Sequence, residues 1–172
     1  MIVSGDMIEA AADLSTETAR RVRIFLIGEL NPFRSDPYYD LWYEPRTSSG
    51  NRLRLILGLT DDEYIAPPFV RRNLLARRAW SLPAAREAAR ELLGSEVNQG
   101  DALVLCGGKV SAAFGFDFAT HLLVPTATGG RAVLVIPHPS GLNRQWHVAG
   151  MKERVRTAVT ALRASIDGGA TR

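Results

Sequence analysis

A single cysteine, Cys106, in 172 residues leaves no means of forming an intramolecular disulfide or a cysteine-ligated zinc or iron–sulfur centre. No apolar run approaches the roughly eighteen residues that a membrane-crossing helix needs. The first residues include acidic side chains and lack a basic stretch followed by an apolar one, so no signal peptide is expected and the cytoplasm is the expected compartment. Internal repeats, low-complexity tracts and linkers are missing too. Excess charge is small, with 21 basic against 18 acidic residues. What remains is a globular composition, 46% hydrophobic and 23% charged, in a chain long enough for one domain with a real core and too short for two ordinary ones. One domain over residues 1–172 is expected.

Apolar periodicity divides the chain into alternating elements. An amphipathic helix is expected near residues 6–20, with Ile8, Ala11 and Leu14 on one side and a strand following over Val22 to Ile27. Residues 32–45 read as an irregular, aromatic-rich loop. Asn51 to Leu59 reads as a helix, Asp61 to Tyr64 as a helical turn stopped by Pro67-Pro68, and Phe69 to Leu74 as a strand despite its arginines. Leu82 to Leu93 has a proline where a first helical turn tolerates one. Beyond it come strand Ala102 to Leu105, helix Val110 to Phe114, a strand near His121 to Val124, strand Ala132 to Ile136, and a terminal helix from Gln145 to Ile166 with a frayed tail from Gly168. Such alternation argues a parallel sheet covered on both faces. The expected fold is α/β, a three-layer α/β/α sandwich around a central, mainly parallel four-stranded sheet.

Chemistry concentrates where strands end. The stretch Ile136-Pro137-His138-Pro139-Ser140-Gly141-Leu142-Asn143-Arg144 follows an apolar strand, and loops at the carboxyl ends of strands are where α/β sheets build sites. It offers an imidazole, a hydroxyl, a flexible glycine, an exposed leucine and a guanidinium. Near the other end, Val22-Arg23-Ile24-Phe25-Leu26-Ile27 runs into Gly28-Glu29-Leu30-Asn31-Pro32, where Asn-Pro by itself signals a turn. Arg71, Arg72, Arg77 and Arg78 bracket Asn73. With Arg144 they read either as a salt-sensitive grip on a polyanion or as an ordinary solvated basic surface.

Four segments, in order over roughly residues 22 to 160, resemble the uracil-DNA glycosylase superfamily. The His-Pro-Ser-Gly-Leu loop at 138–142 is similar to its second active-site motif, and the strand ending in Gly28 and Asn31-Pro32 to its first. Asn73-Leu74-Leu75-Ala76-Arg77 resembles the base-reading segment of the mismatch-specific thymine/uracil and single-strand-selective branches. Leu103 to Phe114, with Gly107-Gly108-Lys109 inside it, resembles the strand–Gly–Lys–helix unit between those motifs. The lone Cys106 separates the chain from the iron–sulfur branches.

The resemblance implies a role for each residue. Asn31, at a position held by Asp or Asn in the family, would position the nucleophilic water, with slower chemistry than an Asp would give. Glu29 competes for that role, because the iron–sulfur branches use a Glu after this glycine and the Gly28-to-Asn31 spacing is one residue longer than usual. Asp36-Pro37-Tyr38 imitates another family motif, but Asp36 lacks the leading strand and reads as a loop or cap residue. His138 would stabilise negative charge on the departing base as a neutral donor. His121 and His147 read as structural. Gly28 and Asn73 would bind the base, with Tyr43 as the stacking ring and Phe33 as its competitor. Ser140 would contact a phosphate or else cap the following segment. Leu142, exposed by Gly141, would fill the gap left by an extruded nucleotide, and Asn143 and Arg144 would contact DNA beside it.

The expected activity is therefore that of a monofunctional, monomeric DNA glycosylase without metal or redox cofactor. It would release uracil or a related modified pyrimidine from DNA in base excision repair. No lysine is among the candidate catalytic residues, so no Schiff-base lyase step is expected. Two rivals stand beside this reading. One is a non-catalytic nucleic-acid-binding module with a glycosylase-like pocket, which Asn in place of Asp favours. The other is a hydrolase of free nucleosides, against which Leu142 and the arginines argue.

Overall fold

The computed structural model describes residues 21–31, 36–76 and 79–169. The expected N-terminal helix near 6–20, Pro32, Phe33, Arg77 and Arg78 lie outside the described residues. Strand β1 spans Ile24–Leu30, and helices α1 (Ser49–Leu57) and α2 (Asp61–Ile65) lead to β2 (Phe69–Leu75). Helix α3 (Leu82–Ser95) leads to β3 (Ala102–Cys106), followed by the short helices α4 (Gly108–Ala113) and α5 (Phe118–His121). The hairpin β4 (Thr126–Thr128) and β5 (Arg131–Ile136) comes next, and α6 (Met151–Gly169) closes the described fold. Among the described residues five strands, not four, form one sheet in the order β2-β1-β3-β5-β4. The first four are parallel, and β4 pairs antiparallel with β5 at the edge.

Strand β1 shows why the sheet must be covered twice. Ile24, Phe25, Leu26 and Ile27 are all inaccessible to solvent. Because side chains alternate along a strand, Ile24 and Leu26 join one core with α1, α2 and α6, whereas Phe25 and Ile27 join the other with α3 and α4. Local signals set the helix ends. Ser48 Oγ accepts from Asn51 N at 3.0 Å to start α1, Gly58 ends it at φ 72°, and Thr60 with Glu63 forms a reciprocal capping box on α2. Among the described residues no helix is long and apolar enough to cross a membrane.

Three expectations fail locally. No strand forms over His121 to Val124: His121 ends α5, which Asp117 caps, Leu122 makes one parallel bridge to Val135, and Leu123 turns the chain at φ 58°. The edge strand comes later, joined to β5 through Gly129 and Gly130, both at positive φ as a tight hairpin requires. The terminal helix is broken. A 3-10 turn over Arg144–His147 precedes α6, and Gly150 at φ 73° separates the two, while α6 continues to Gly169, past the point where a frayed tail was expected.

At the opposite edge, β2 has only β1 beside it among the described residues. A 3-10 turn at Pro37–Tyr39 packs against it, tied down from the strand by Arg71, whose guanidinium donates to the carbonyls of Tyr38 (3.3 Å) and Asp40 (3.5 Å). Strand β1 lies between β2, reached through α1 and α2 on one face, and β3, whose following helix lies on the other. The chain therefore diverges at the carboxyl end of β1, which is where open α/β sheets leave a crevice.

Candidate active site

That crevice is a cavity of about 600 Å³ lined by Glu29, Leu30, Asn31, Tyr39, Leu41, Trp42, Glu44, Pro45, Ser48, Ser49, Gly50, Asn73 and His138. It brings together four residues singled out from sequence, from three different strand ends: Glu29 and Asn31 from β1, Asn73 from β2 and His138 from the loop after β5. The volume suits a small molecule or a single nucleoside unit.

His138 is held by its own loop. The Ser140 backbone N–H donates to Nδ1 at 3.2 Å, so Nδ1 is an acceptor and the proton of the neutral ring sits on Nε2. Asn143 Nδ2 (3.0 Å) and Trp146 Nε1 (2.8 Å) both donate to the His138 carbonyl and fix the loop from behind. Burial holds the imidazole pKa below its ordinary 6.5. Nearby Lys109 adds to that, and Glu29 opposes both. The Glu29 carboxylate stands 3.9 Å from His138 Nε2 and 3.3 Å from Lys109 Nζ. The ring is thus a neutral donor aimed into the cavity beside a carboxylate. Gly107, at φ 98°, is needed here because a Cβ would lie 2.8 Å from that of His138.

The two asparagines share one buried partner. Asn31 Nδ2 donates to Asp40 Oδ1 at 3.2 Å, and Asn73 Nδ2 donates to the same oxygen at 3.3 Å. Gly28 pairs with Asn73 in the sheet register, and any side chain there would strike Asn73 Oδ1 and Leu41. Its role is to admit the Asn73 amide. Leu41 adopts a left-handed φ of 46°, which positions the loop, and its carbonyl accepts from the buried Tyr64 hydroxyl at 3.1 Å.

Several expected roles move. Asp36 caps the 3-10 turn by accepting from Tyr38 N and is exposed, away from the cavity, as its sequence context implied. Tyr43 packs on the core with α1 and against Trp42 (ring centroids 4.6 Å apart), and it does not line the cavity. Tyr39 and Trp42 supply the cavity rings, and Phe33 is outside the described residues. Arg71 is buried under the rings of Trp42 and Tyr64, 5.1 and 5.6 Å from their centroids. Arg72 pairs with Glu96 at 2.7 Å. Neither is a free phosphate grip. Asn143 caps the 3-10 turn and serves the loop instead of projecting outward. Ser140 Oγ accepts from Leu142 N at 3.3 Å and keeps its hydroxyl proton to donate. Leu142 is 93% exposed, and Arg144 is exposed beside it. His121 does not line the cavity; its Nδ1 lies 2.8 Å from the Asp117 carbonyl.

Asp40 escaped the sequence reading, and Lys109 entered it only as part of a motif, without a role of its own. The one trace of Asp40 is an acidic residue inside an otherwise aromatic run, Tyr38 to Tyr43, where a charge has no evident surface to face. Lys109 stands in the Gly-Gly-Lys segment and reaches Glu29 only because β3 lies beside β1. Among the described residues no group of three or more His, Cys, Asp or Glu side chains is arranged to hold a metal ion. The fold and site define an α/β protein with a cavity at the carboxyl ends of its parallel strands, apolar over much of its wall and carrying a few convergent polar side chains. No protein-family model matches the chain, and a search of curated proteins finds no match either.

Proposed function

We propose that the chain is a monofunctional DNA glycosylase of the uracil-DNA glycosylase superfamily, acting on uracil or a related modified pyrimidine in base excision repair. In this reading the pyrimidine leaves C1′ of the sugar with the bonding electron pair, and water adds to C1′ to give an abasic site. The transition state is oxocarbenium-like, so two groups matter most. The Nε2–H of His138 donates to the carbonyl on which negative charge accumulates. Asn31, whose N–H is committed to Asp40, offers Oδ1 to orient the water. Glu29 adds negative charge that favours the sugar cation, competes with Asn31 for the position of the water, and is the group able to accept the proton that the water loses as it adds to C1′. Asn73 meets the base edge, and Tyr39 or Trp42 gives it a flat surface. Leu142 and Arg144, outside the cavity, suit a duplex partner rather than a free nucleoside.

One observation carries the reading: a neutral, tautomerically fixed imidazole opposite two amides and a carboxylate in a single cavity. The test is a panel of labelled single- and double-stranded oligonucleotides, each carrying one modified base, with alkaline cleavage at abasic sites. Base release from at least one pyrimidine is expected. Asn31→Ala should abolish turnover while binding persists, and Asn31→Asp should retain or raise the rate. If Glu29→Gln proves the more damaging change, the water belongs to Glu29. Binding to DNA without base release on any substrate replaces the hydrolase with a binding module.

A further inference from the structure

Asp40 lies behind the cavity wall, 6% exposed, and touches it only through the two asparagines. An amide side chain can present either its NH₂ or its oxygen to a neighbour, and little energy separates the two flips in open solvent. An ionised carboxylate can only accept. Burial outweighs the opposing pull of the backbone and side-chain N–H groups of Asn73, the Asn31 amide and the Arg72 charge, and holds the Asp40 carboxyl above its ordinary 3.8. Its Oδ1, which takes a hydrogen bond from each asparagine, is an acceptor whether or not the other oxygen carries a proton. Facing an acceptor, Asn31 and Asn73 must both turn Nδ2 toward Asp40. Each then leaves Oδ1 and one remaining N–H for the cavity side. Gly28 lets the Asn73 oxygen lie directly over the β1 backbone, where a methyl group would evict it.

Resting on the glycosylase reading, we propose that Asp40 is a positioning residue that locks the flip of both asparagines, and so selects a pyrimidine edge carrying an N–H at position 3 over one carrying a bare nitrogen. A uracil-type base presents an N3 hydrogen to the Asn73 oxygen. A cytosine-type base presents a lone pair there, and two acceptors facing each other out of water leave both unsatisfied. Without the lock, the amide could rotate and satisfy either edge. The same oxygen of Asp40 holds Asn31, so the atom that orients water and the atom that reads the base are fixed by one group.

The test uses the whole chain and Asp40→Asn, which keeps the shape but can both donate and accept. Free uracil and free cytosine are the binding probes, and a uracil-containing single-stranded oligonucleotide is the kinetic one. The wild type should favour uracil, and the variant should lose that preference by about tenfold or more, the worth of one misdirected buried hydrogen bond. Base release should slow as well. In a double-mutant cycle with Asn73→Ala, the effects on the uracil/cytosine ratio should be strongly non-additive, since Asp40 acts through Asn73.

Side-chain amide signals provide a readout that needs no turnover. In the wild type, one Nδ2 hydrogen of Asn31 and one of Asn73 should exchange slowly, and both pairs should shift in Asp40→Asn while backbone signals elsewhere stay put. An unchanged uracil/cytosine ratio in a folded variant overturns the proposal. If Asp40→Asn fails to fold, fast exchange of those hydrogens in the wild type overturns it equally. A wild type that shows the lock and prefers uracil but never releases a base refutes the glycosylase reading and leaves the role of Asp40 standing.

Discussion

Replacing Gly28 by alanine separates the chemistry of the site from the stability of the fold. The new Cβ would stand 2.7 Å from Leu41 Cδ2 and closer still to Asn73 Oδ1, where ordinary contact begins near 3.4 Å. Leucine can rotate away; the Asn73 amide is held by Asp40 and by the strand beneath it. The amide must therefore retreat by roughly 1 Å, and a misplacement of that size costs about 100-fold in rate. Overpacking adds about 1–3 kcal/mol of destabilisation. Gly94, on the exposed face of α3 with nothing within 4 Å of its Cβ position, is the matched control. There alanine should stabilise by about 0.5–1 kcal/mol and leave the site untouched. Single-turnover base release on a uracil oligonucleotide, alongside urea unfolding of both variants, measures the two effects. If Gly28→Ala retains wild-type rates, Asn73 does not read the base from the position described.

Four further outcomes are expected. His138→Ala should slow base release by roughly 100-fold or more without unfolding the protein, as for the loss of one oxyanion donor; equal single-turnover rates would remove His138 from the mechanism. Because the folded imidazole titrates below 6.5, the wild-type rate should hold as pH falls through 6.5 and decline only lower. Folding stability should erode over that same interval, since the unfolded chain takes up the proton first, and both can be followed by a rate profile and by unfolding at each pH. Arg71→Met should destabilise by about 1–3 kcal/mol through the loss of charged donors to Tyr38 and Asp40, yet leave the salt dependence of DNA binding unaltered. A flatter salt slope would return Arg71 to the phosphate-binding surface. Leu142→Ala should reduce activity on duplex more than on single strands, because only a duplex leaves a gap to fill; equal losses would make it a packing residue.

Strands β1, β3 and β5 were legible because each contains an unbroken apolar run, and a strand buried on both faces leaves that signature. Even β2 was found, from Phe69 and Val70 ahead of its arginines. The antiparallel edge was misplaced since Thr126 to Thr128 carries no apolar pattern, and the Gly-Gly turn beside it was the better signal. At the site, Glu29, Asn31 and His138 stood out because each lies just beyond an apolar run. Asp40 did not, because its partners lie 9 and 33 residues away and no local spacing announces them. Arg71 misled for the same reason. A guanidinium reads as surface until the aromatic rings and carbonyls that cover it are known.

The covering of β2 has a consequence for how this protein can change. A parallel sheet whose outermost strand lies open invites another chain to add itself, and the residues over that strand deny it the chance. Here the obstruction is the segment from Pro37 to Asp40, pinned by Arg71 and leading straight into the cavity wall at Leu41 and Trp42. Substitutions that loosen this wall to admit a bulkier ligand would therefore loosen the cover of β2 around Arg71 and Asn73 and open that stretch to intermolecular pairing. Selection for a wider pocket would run into selection against aggregation, so variation in substrate is more freely gained from the Ser48–Gly50 side than from the aromatic one.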